Sequence, residues 1–265
     1  LNLTERAAGI KPVQKYRGEN LSDGEMLYGI HPVSEAISAG RRSVFVIFMT
    51  RGKLSKRLEK VAALAEKCRI PIYSVSSTRM SAMIGKVRHQ GVAAKVDSYP
   101  FVKLKTILPV DSESVFLLLL DHVLDVQNFG ALIRTALGVG VGGVVVCKDR
   151  SASPTPAACK ASAGALEHIN LVRVTNLVQT LKVLQNAGIW TFGLDAGASG
   201  SIFDTDMAGS FALVVGGEEK GLRPLVRRQC DALVSIPQLG PVESLNASAA
   251  GAVALYEAYR QRING

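Results

Sequence analysis

Short, wholly apolar runs punctuate the second half of the chain, among them Phe116-Leu117-Leu118-Leu119-Leu120, Val144-Val145-Val146 and Phe211-Ala212-Leu213-Val214-Val215. Each is far below the roughly 20 residues that a membrane helix requires. None alternates with polar residues, so a strand made from one has no face to give to water. Strands of that kind are buried on both sides, which is the mark of a parallel sheet packed between helices. Strands are therefore expected at 116–120, 143–147, 189–194, 211–215 and 232–236, alternating with helices at 129–138, 176–187, 222–230 and 246–262. Asn176 as N-cap and Gly188 just past the last turn bracket one of these helices. The fold class that follows is α/β with a parallel sheet.

A smaller α/β alternation precedes it. From Tyr28 the pattern predicts helix 32–39, strand 44–49, helix 54–68, strand 70–75, a helix near Met80 and strand 92–96. Residues 1–24 are polar, carry Gly9, Pro12, Gly18 and Gly24, and show no period, as in a flexible arm. Residues 98–114, with Pro100 and Pro109, read as a linker. The expected organisation is thus an arm (1–24), a small domain (25–97), a linker (98–114) and a larger domain (115–265).

Charge is distributed unevenly over these parts. Residues 1–111 hold 19 Lys/Arg against 9 Asp/Glu, whereas residues 112–265 hold 12 against 13. A basic module joined to a neutral one suggests capture of a polyanion by the first and chemistry in the second, with a merely solvated basic surface as the competing reading. Arg41, Arg42, Arg51 and Lys53 flank an expected strand and could track phosphates or simply face solvent; His31 and His89 lie in expected turns and could touch RNA or satisfy local hydrogen bonds. No charged-then-apolar signal segment is visible, so the expected address is cytoplasmic.

Cofactor and metal signals are mostly negative. Cys68, Cys147, Cys159 and Cys230 contain no C-x-x-C pair and read as buried small hydrophobes; His31, His89, His122 and His168 lack ligand spacing, so no metal site is expected. Gly138-x-Gly140-x-x-Gly143 satisfies the dinucleotide fingerprint in letters only. It follows a helix and precedes a strand, the reverse of the order that places a pyrophosphate on a helix N-terminus. These glycines are assigned to helix termination and close packing.

Polar residues gather where the apolar strands end. After 116–120 come Asp125 and Asn128 in an expected loop, then Arg134 on a helix; after 211–215 comes Gly216-Gly217-Glu218-Glu219-Lys220-Gly221-Leu222; after 232–236 comes Ile236-Pro237 and, further on, Ser244-Leu245-Asn246, with Asn246 a candidate N-cap for the final helix. Open α/β sheets bind ligands at that edge. Lys160-Ala161-Ser162-Ala163-Gly164-Ala165-Leu166-Glu167 is a further candidate, as a short helix or as an edge of a nucleic-acid channel.

Three of these segments together, Asn128-x-Gly130-x-x-x-Arg134, Gly216-x-Glu218-x-x-Gly221-Leu222 and Ile236-Pro237 followed by Ser244-Leu245-Asn246, resemble in order and spacing the SpoU branch of the SPOUT methyltransferases. That resemblance covers residues 112–265. Val126 stands where the family commonly has Pro and Glu219 where it commonly has a small residue. The resemblance implies 2'-O-methylation of ribose with S-adenosylmethionine as cofactor, in a domain whose loops are threaded as a deep trefoil knot. It also implies a cofactor held by backbone groups at Gly216, Ile236 and Leu245. Arg134 would sit at the acceptor hydroxyl, with Asn128, Ser244 and Asn246 supplying neutral hydrogen bonds and Glu218 pairing with Arg134 or accepting a hydrogen bond. Residues 27–33 and 88–92 look like an appended RNA-binding domain of the ribosomal-protein L30e type. The implied substrate is a guanosine in large-subunit (23S) rRNA, free or in an assembling particle. A tRNA guanosine, or a non-catalytic assembly role, are the alternatives. A homodimer is expected, with Leu255, Tyr256 and Tyr259 of the final helix as candidate contacts.

Overall fold

The computed structural model describes residues 24–108, 114–241 and 244–264, so the arm expected at 1–24 lies, except for Gly24, outside the described residues. The chain divides into two compact units, Leu1–Ser98 and Tyr99–Gly265.

In the first unit the elements run β1 (Glu25–Tyr28), α1 (Ile30–Ala39), β2 (Val44–Thr50), α2 (Lys56–Lys67), β3 (Ile72–Val75), α3 (Ser77–Ile84) and β4 (Val92–Val96). The sheet order is β1-β4-β2-β3, with β4 antiparallel to both neighbours and β2 parallel to β3. Ser55 and Ser76 cap α2 and α3 by accepting from the backbone N–H three residues on, so each helix starts beside a serine. Along β2 side chains alternate: Val46 and Phe48 pack with Met80 of α3, and Ile47 and Met49, equally buried, belong to the opposite face. The strand β1 precedes the first element expected in the domain, the helix at 32–39. Its only fully buried residue is Leu27, too little periodic signal to read from four residues.

The second unit begins inside the stretch expected to be a linker. Tyr99 is buried and donates its hydroxyl to the Leu166 and Ile169 carbonyls, Val102 bridges to Val172, and Ile107 joins the core. Interspersed Pro and Lys mask that apolar spacing in the sequence. Then follow β5 (Phe116–Asp121), α4 (Val126–Gly138), β6 (Gly143–Cys147), α5 (Pro156–Ala161), β7 (Leu171–Val174), α6 (Leu177–Asn186), β8 (Trp190–Leu194), β9 (Gly200–Ser201), β10 (Phe211–Gly216), α7 (Pro224–Gln229), β11 (Ala232–Ser235) and α8 (Ala247–Asn264). The order β7-β6-β5-β10-β8-β11-β9 is parallel at every pairing.

Every residue of β5 and β10 is buried. Leu117, Leu119, Ala212 and Val214 face α6 and α7. The opposite face is covered by α4 and α8, which also pack on each other. Glycines permit close packing on two sides of α4: a Cβ at Gly251 of α8 would overlap the Leu132 side chain, and one at Gly130 would stand 2.5 Å from the Ala161 Cβ of α5 and 2.8 Å from the Ser162 nitrogen. The glycine run of the false fingerprint ends α4 and opens β6, as its position relative to helix and strand implies. At its far end α8 is tied down by Arg262, which donates to the Ala208 and Gly209 carbonyls, and by Gln261, which accepts from the Met207 N–H.

Gly130→Val should destabilise the protein by about 1–3 kcal/mol, because α5 must move to admit the side chain. Gly138→Ala, with nothing within 4 Å of the new Cβ, should be neutral or slightly stabilising. Denaturant titration of both variants checks the contrast.

Candidate active site

The order of the large sheet reverses between β5 and β10, because the chain leaves β5 toward β6 on one side while β10 lies on the other. Loops leaving the C-terminal ends of strands diverge at such a point and open a crevice. A cavity of about 330 Å³ lies at this edge. Its walls come from the end of β8 (Leu194, Asp195), the turn Gly216–Leu222, Ile236 and Gln238 beyond β11, and Ser244, Leu245 and Ala247 at the entry of α8. Gly216, Ile236 and Leu245 thus line one cavity, together with Glu218 and Ser244.

The turn after β10 doubles back tightly. The Gly217 N–H donates to the Asp121 carbonyl at 2.9 Å and the Gly221 N–H to the Gly217 carbonyl at 3.0 Å. A Cβ at Gly216 would overlap the backbone of Gly221, so only glycine lets the two strands of the turn meet; Gly221 itself has φ 58°, in the left-handed region. Bare main chain consequently walls this side of the cavity. Beside it, Glu218 accepts a hydrogen bond at 2.7 Å from the Asn128 side-chain nitrogen, across 90 residues of sequence.

Asn128 was expected in a loop and instead occupies the first turn of α4. Asp125 caps the helix by accepting from the Asn128 N–H at 2.8 Å, which starts it at Val126, three residues earlier than the apolar pattern indicates. Arg134 is exposed on the same helix, about 9 Å further along its axis. It pairs with neither Glu218 nor any other described residue and takes no part in the cavity wall of its own chain. Asn246 caps α8, as its place before the final helix predicts: its side-chain oxygen accepts from the Ser248 N–H at 2.9 Å, the Ser248 hydroxyl at 2.7 Å and the Ala249 N–H at 3.3 Å.

Two acids absent from the sequence expectations also stand at strand ends. Asp195, in the cavity wall, accepts from Arg227 Nε at 2.7 Å and from the Gly197 N–H at 2.9 Å. Asp121 is fully buried and accepts from the Arg223 N–H at 2.8 Å and Arg223 Nε at 2.6 Å. Their signal in the sequence is a lone acid closing an apolar strand; burying such a charge is tolerable only with a partner. Asp121, His122 and Cys147 present ligand atoms within 4.8 Å of one another, a cluster that residue spacing does not reveal. Arg223 already supplies its cation, with Nη2 3.7 Å from the Cys147 sulfur. Burial pushes the Cys147 thiol pKa up, and burial followed by the Arg223 charge lowers that of His122, so both stay neutral near pH 7. Of the other cysteines, Cys159 is buried and Cys230 partly so, but Cys68 is exposed, against the expectation of four buried ones.

Residues expected to meet RNA separate into two groups within the first unit. At one end of its sheet lie exposed His31, Arg51 and Lys53 and half-buried His89. The Thr50 N–H donates to the Gly91 carbonyl, the Arg51 N–H to the Val75 carbonyl and the Ile30 N–H to the Gln90 side chain, which draws these turns together. His89 Nδ1 accepts from the Gly91 N–H at 3.0 Å. Arg41 and Arg42 begin β2 at the opposite end. Arg42 is a correction: its side chain is 1% exposed and donates to Glu25 and to the Asp97 carbonyl, both at 3.0 Å, so it is a buried structural cation and not a phosphate contact.

Comparison with known proteins assigns both units to known families of RNA methyltransferase modules. Residues 115–256 match the profile described as the SpoU rRNA Methylase family, and residues 26–102 match one described as RNA 2'-O ribose methyltransferase substrate binding. The chain is 39% identical over 245 residues to the 23S rRNA (guanosine-2'-O-)-methyltransferase RlmB of Pseudomonas putida, covering 91% of this chain and 98% of that one. Identity to the protein of the same name from Acinetobacter baylyi is also 39%, over 90% of this chain and 98% of that one. Among solved structures, the SpoU methyltransferase AviRb from Streptomyces viridochromogenes in complex with AdoMet superposes with a TM-score of 0.76 at 28% identity, over 91% of each chain. With its larger unit matched almost from end to end and its smaller unit matched as the substrate-binding module, the chain belongs to the SpoU rRNA methylase family.

Proposed function

We propose that this protein transfers a methyl group from S-adenosylmethionine to the ribose 2'-hydroxyl of a guanosine in 23S rRNA. The observation that carries the reading is the meeting, at one cavity, of the turn after β10, the segment after β11 and the entry of α8, with Glu218 of that turn joined to Asn128 of α4. The names of the RlmB relatives supply the substrate. A cavity of about 330 Å³ lies within the range of small-molecule sites. Its bare glycine backbone at Gly216 and Gly217 suits main-chain recognition of adenine and methionine, and the carboxylates of Asp195, Glu218 and Glu219 suit a cationic donor. The family's deep trefoil knot through these loops belongs to the proposal, supported by their convergence.

When bound, S-adenosylmethionine supplies a methyl group already activated by its sulfonium charge. What the protein must contribute is alignment of the ribose oxygen with that carbon and management of the hydroxyl proton. Ile236 and Leu245 wall the donor and exclude water. The Asn128 amide holds Glu218 in place, and Ser244 can hydrogen-bond the ribose; Asn246 acts through the helix it caps. The Arg134 guanidinium stabilises the alkoxide character that develops on the oxygen. Its place outside the cavity of its own chain suits a homodimer with the site beside the interface. Tyr256, Tyr259 and Ile263, all exposed on α8, favour that face; Leu255, expected there too, is fully buried in the core.

The first unit binds the substrate through the turn cluster of His31, Arg51, Lys53 and His89, and the described residues include no helix able to cross a membrane. Cytoplasmic action on rRNA, free or in an assembling particle, completes the reading.

Incubation with labelled donor and either unmodified 23S rRNA or tRNA, followed by nucleotide mapping, should place the label on one rRNA guanosine; label on tRNA alone would overturn the substrate assignment. Arg134→Ala should lower turnover by about 10²–10³-fold with donor affinity within about twofold, read by single-turnover assay and calorimetry. Arg51→Ala and Lys53→Ala should each reduce the salt slope of RNA binding by up to about one. Arg41→Ala, at the opposite end of the sheet, should leave that slope unchanged.

A further inference from the structure

The turn that carries Glu218 is fastened at both ends to a single residue. At its start the Gly217 N–H donates to the Asp121 carbonyl at 2.9 Å. At its close the N–H and Nε of Arg223 donate to the two carboxylate oxygens of Asp121, at 2.8 and 2.6 Å. Between these points the Gly221 N–H donates to the Gly217 carbonyl at 3.0 Å, so the turn is also closed on itself. It has no slack on the inner side, since a Cβ at Gly217 would overlap the His122 carbonyl. Asp121 is fully buried at the end of β5, and neither it nor Arg223 lines the cavity.

We propose that Asp121 and Arg223 form a positioning pair for methyl transfer, holding the turn 217–222 so that Glu218 meets Asn128 and the glycine backbone meets the donor. The inference rests on the methyltransferase reading above and adds to it two residues that touch neither substrate nor cofactor. A backbone N–H and a side-chain N–H from one residue reach both oxygens of one carboxylate in a narrow range of geometries, which specifies the path of the chain and not merely its charge balance. The pair is also insulated from competition. Asp121 has no solvent access, and the Cys147 thiol and His122 imidazole beside it are kept neutral, by burial and, for His122, also by the Arg223 charge. Arg223 itself is 40% exposed at its side chain, so truncating it removes the side-chain half of the clamp, leaving the backbone N–H bond, and opens little void in the core.

Three measurements on the full chain test the pair, using Arg223→Ala with Arg223→Lys and Arg223→Gln as further variants should alanine fail to fold. First, Arg223→Ala should lower the single-turnover rate per donor-binding site about 10–100-fold with the RNA KM within about twofold. Arg223→Lys, which keeps a cation able to reach Asp121, should recover much of the loss. Second, Glu218→Gln should cost little further rate in the Arg223→Ala background, because a misplaced Glu218 has little left to contribute; losses that simply multiply would mean that Arg223 acts elsewhere and would overturn the proposal. Third, the Gly217 and Gly221 amides should exchange with solvent at least about tenfold faster in Arg223→Ala while β5 and β10 keep their protection. Unchanged exchange at both glycines would overturn the proposal on its own. Failure of the underlying reading would look different: the wild-type protein would methylate no RNA, and the exchange comparison would still decide whether the pair holds the turn.

Discussion

The parallel pairing of β5 with β10, from Phe116 beside Phe211 to Asp121 beside Gly216, is the contact on which the candidate site depends. Both strands are buried throughout, so neither can slide or tilt without exposing apolar surface on two faces at once. Their register places the last residue of one strand next to the glycine that begins the turn of the other. From that adjacency follow the Gly217–Asp121 hydrogen bond, the return of Arg223 to the same carboxylate, and the position of Glu218 opposite Asn128. A hydrophobic pairing thus sets the placement of polar groups.

Glycine does a second kind of work here. At Gly216 and Gly217 it brings backbone against backbone, and the cavity wall becomes main chain. At Gly130 it brings α4 against the end of α5, and at Gly251 it brings α8 against α4. Three of these four positions lie within the motif segments, and only Gly251 looks, in the sequence, like an ordinary helix residue. Their common cause is close approach.

Cations with equal formal charge have unlike roles, and burial decides which. Arg42 is spent inside the first unit on Glu25 and the Asp97 carbonyl, and Arg223 on Asp121, whereas Arg51, Lys53 and Arg134 stand in solvent. Excess basic charge over residues 1–111 therefore overstates the surface open to a polyanion. The end of the first sheet bearing Arg51, Lys53, His31 and His89 is where the exposed part of that charge meets turns able to present backbone groups.

Much of the fold was legible because it rests on composition over short windows: continuous apolar runs located β5, β6 and β10, and Asn176 and Asn246 marked helix starts through a local hydrogen bond. The motif segments were legible as well, in order and spacing. Missed were β1 and β7, four residues each and too short to show a period, the packing of Tyr99–Ile107 beneath interspersed Pro and Lys, and the early start of α4 forced by the Asp125 cap. Roles proved less legible than positions, since the same side chain type can cap, pair or face solvent. On its own the sequence determined the parallel α/β class, the strand-end placement of polar residues and the family resemblance, because these follow from hydrophobic periodicity and local chemistry. Only the tertiary structure decided that Arg42 is buried, that Glu218 meets Asn128 and that Asp121 anchors the turn, because each depends on residues brought together across the chain by strand order, which no local window contains.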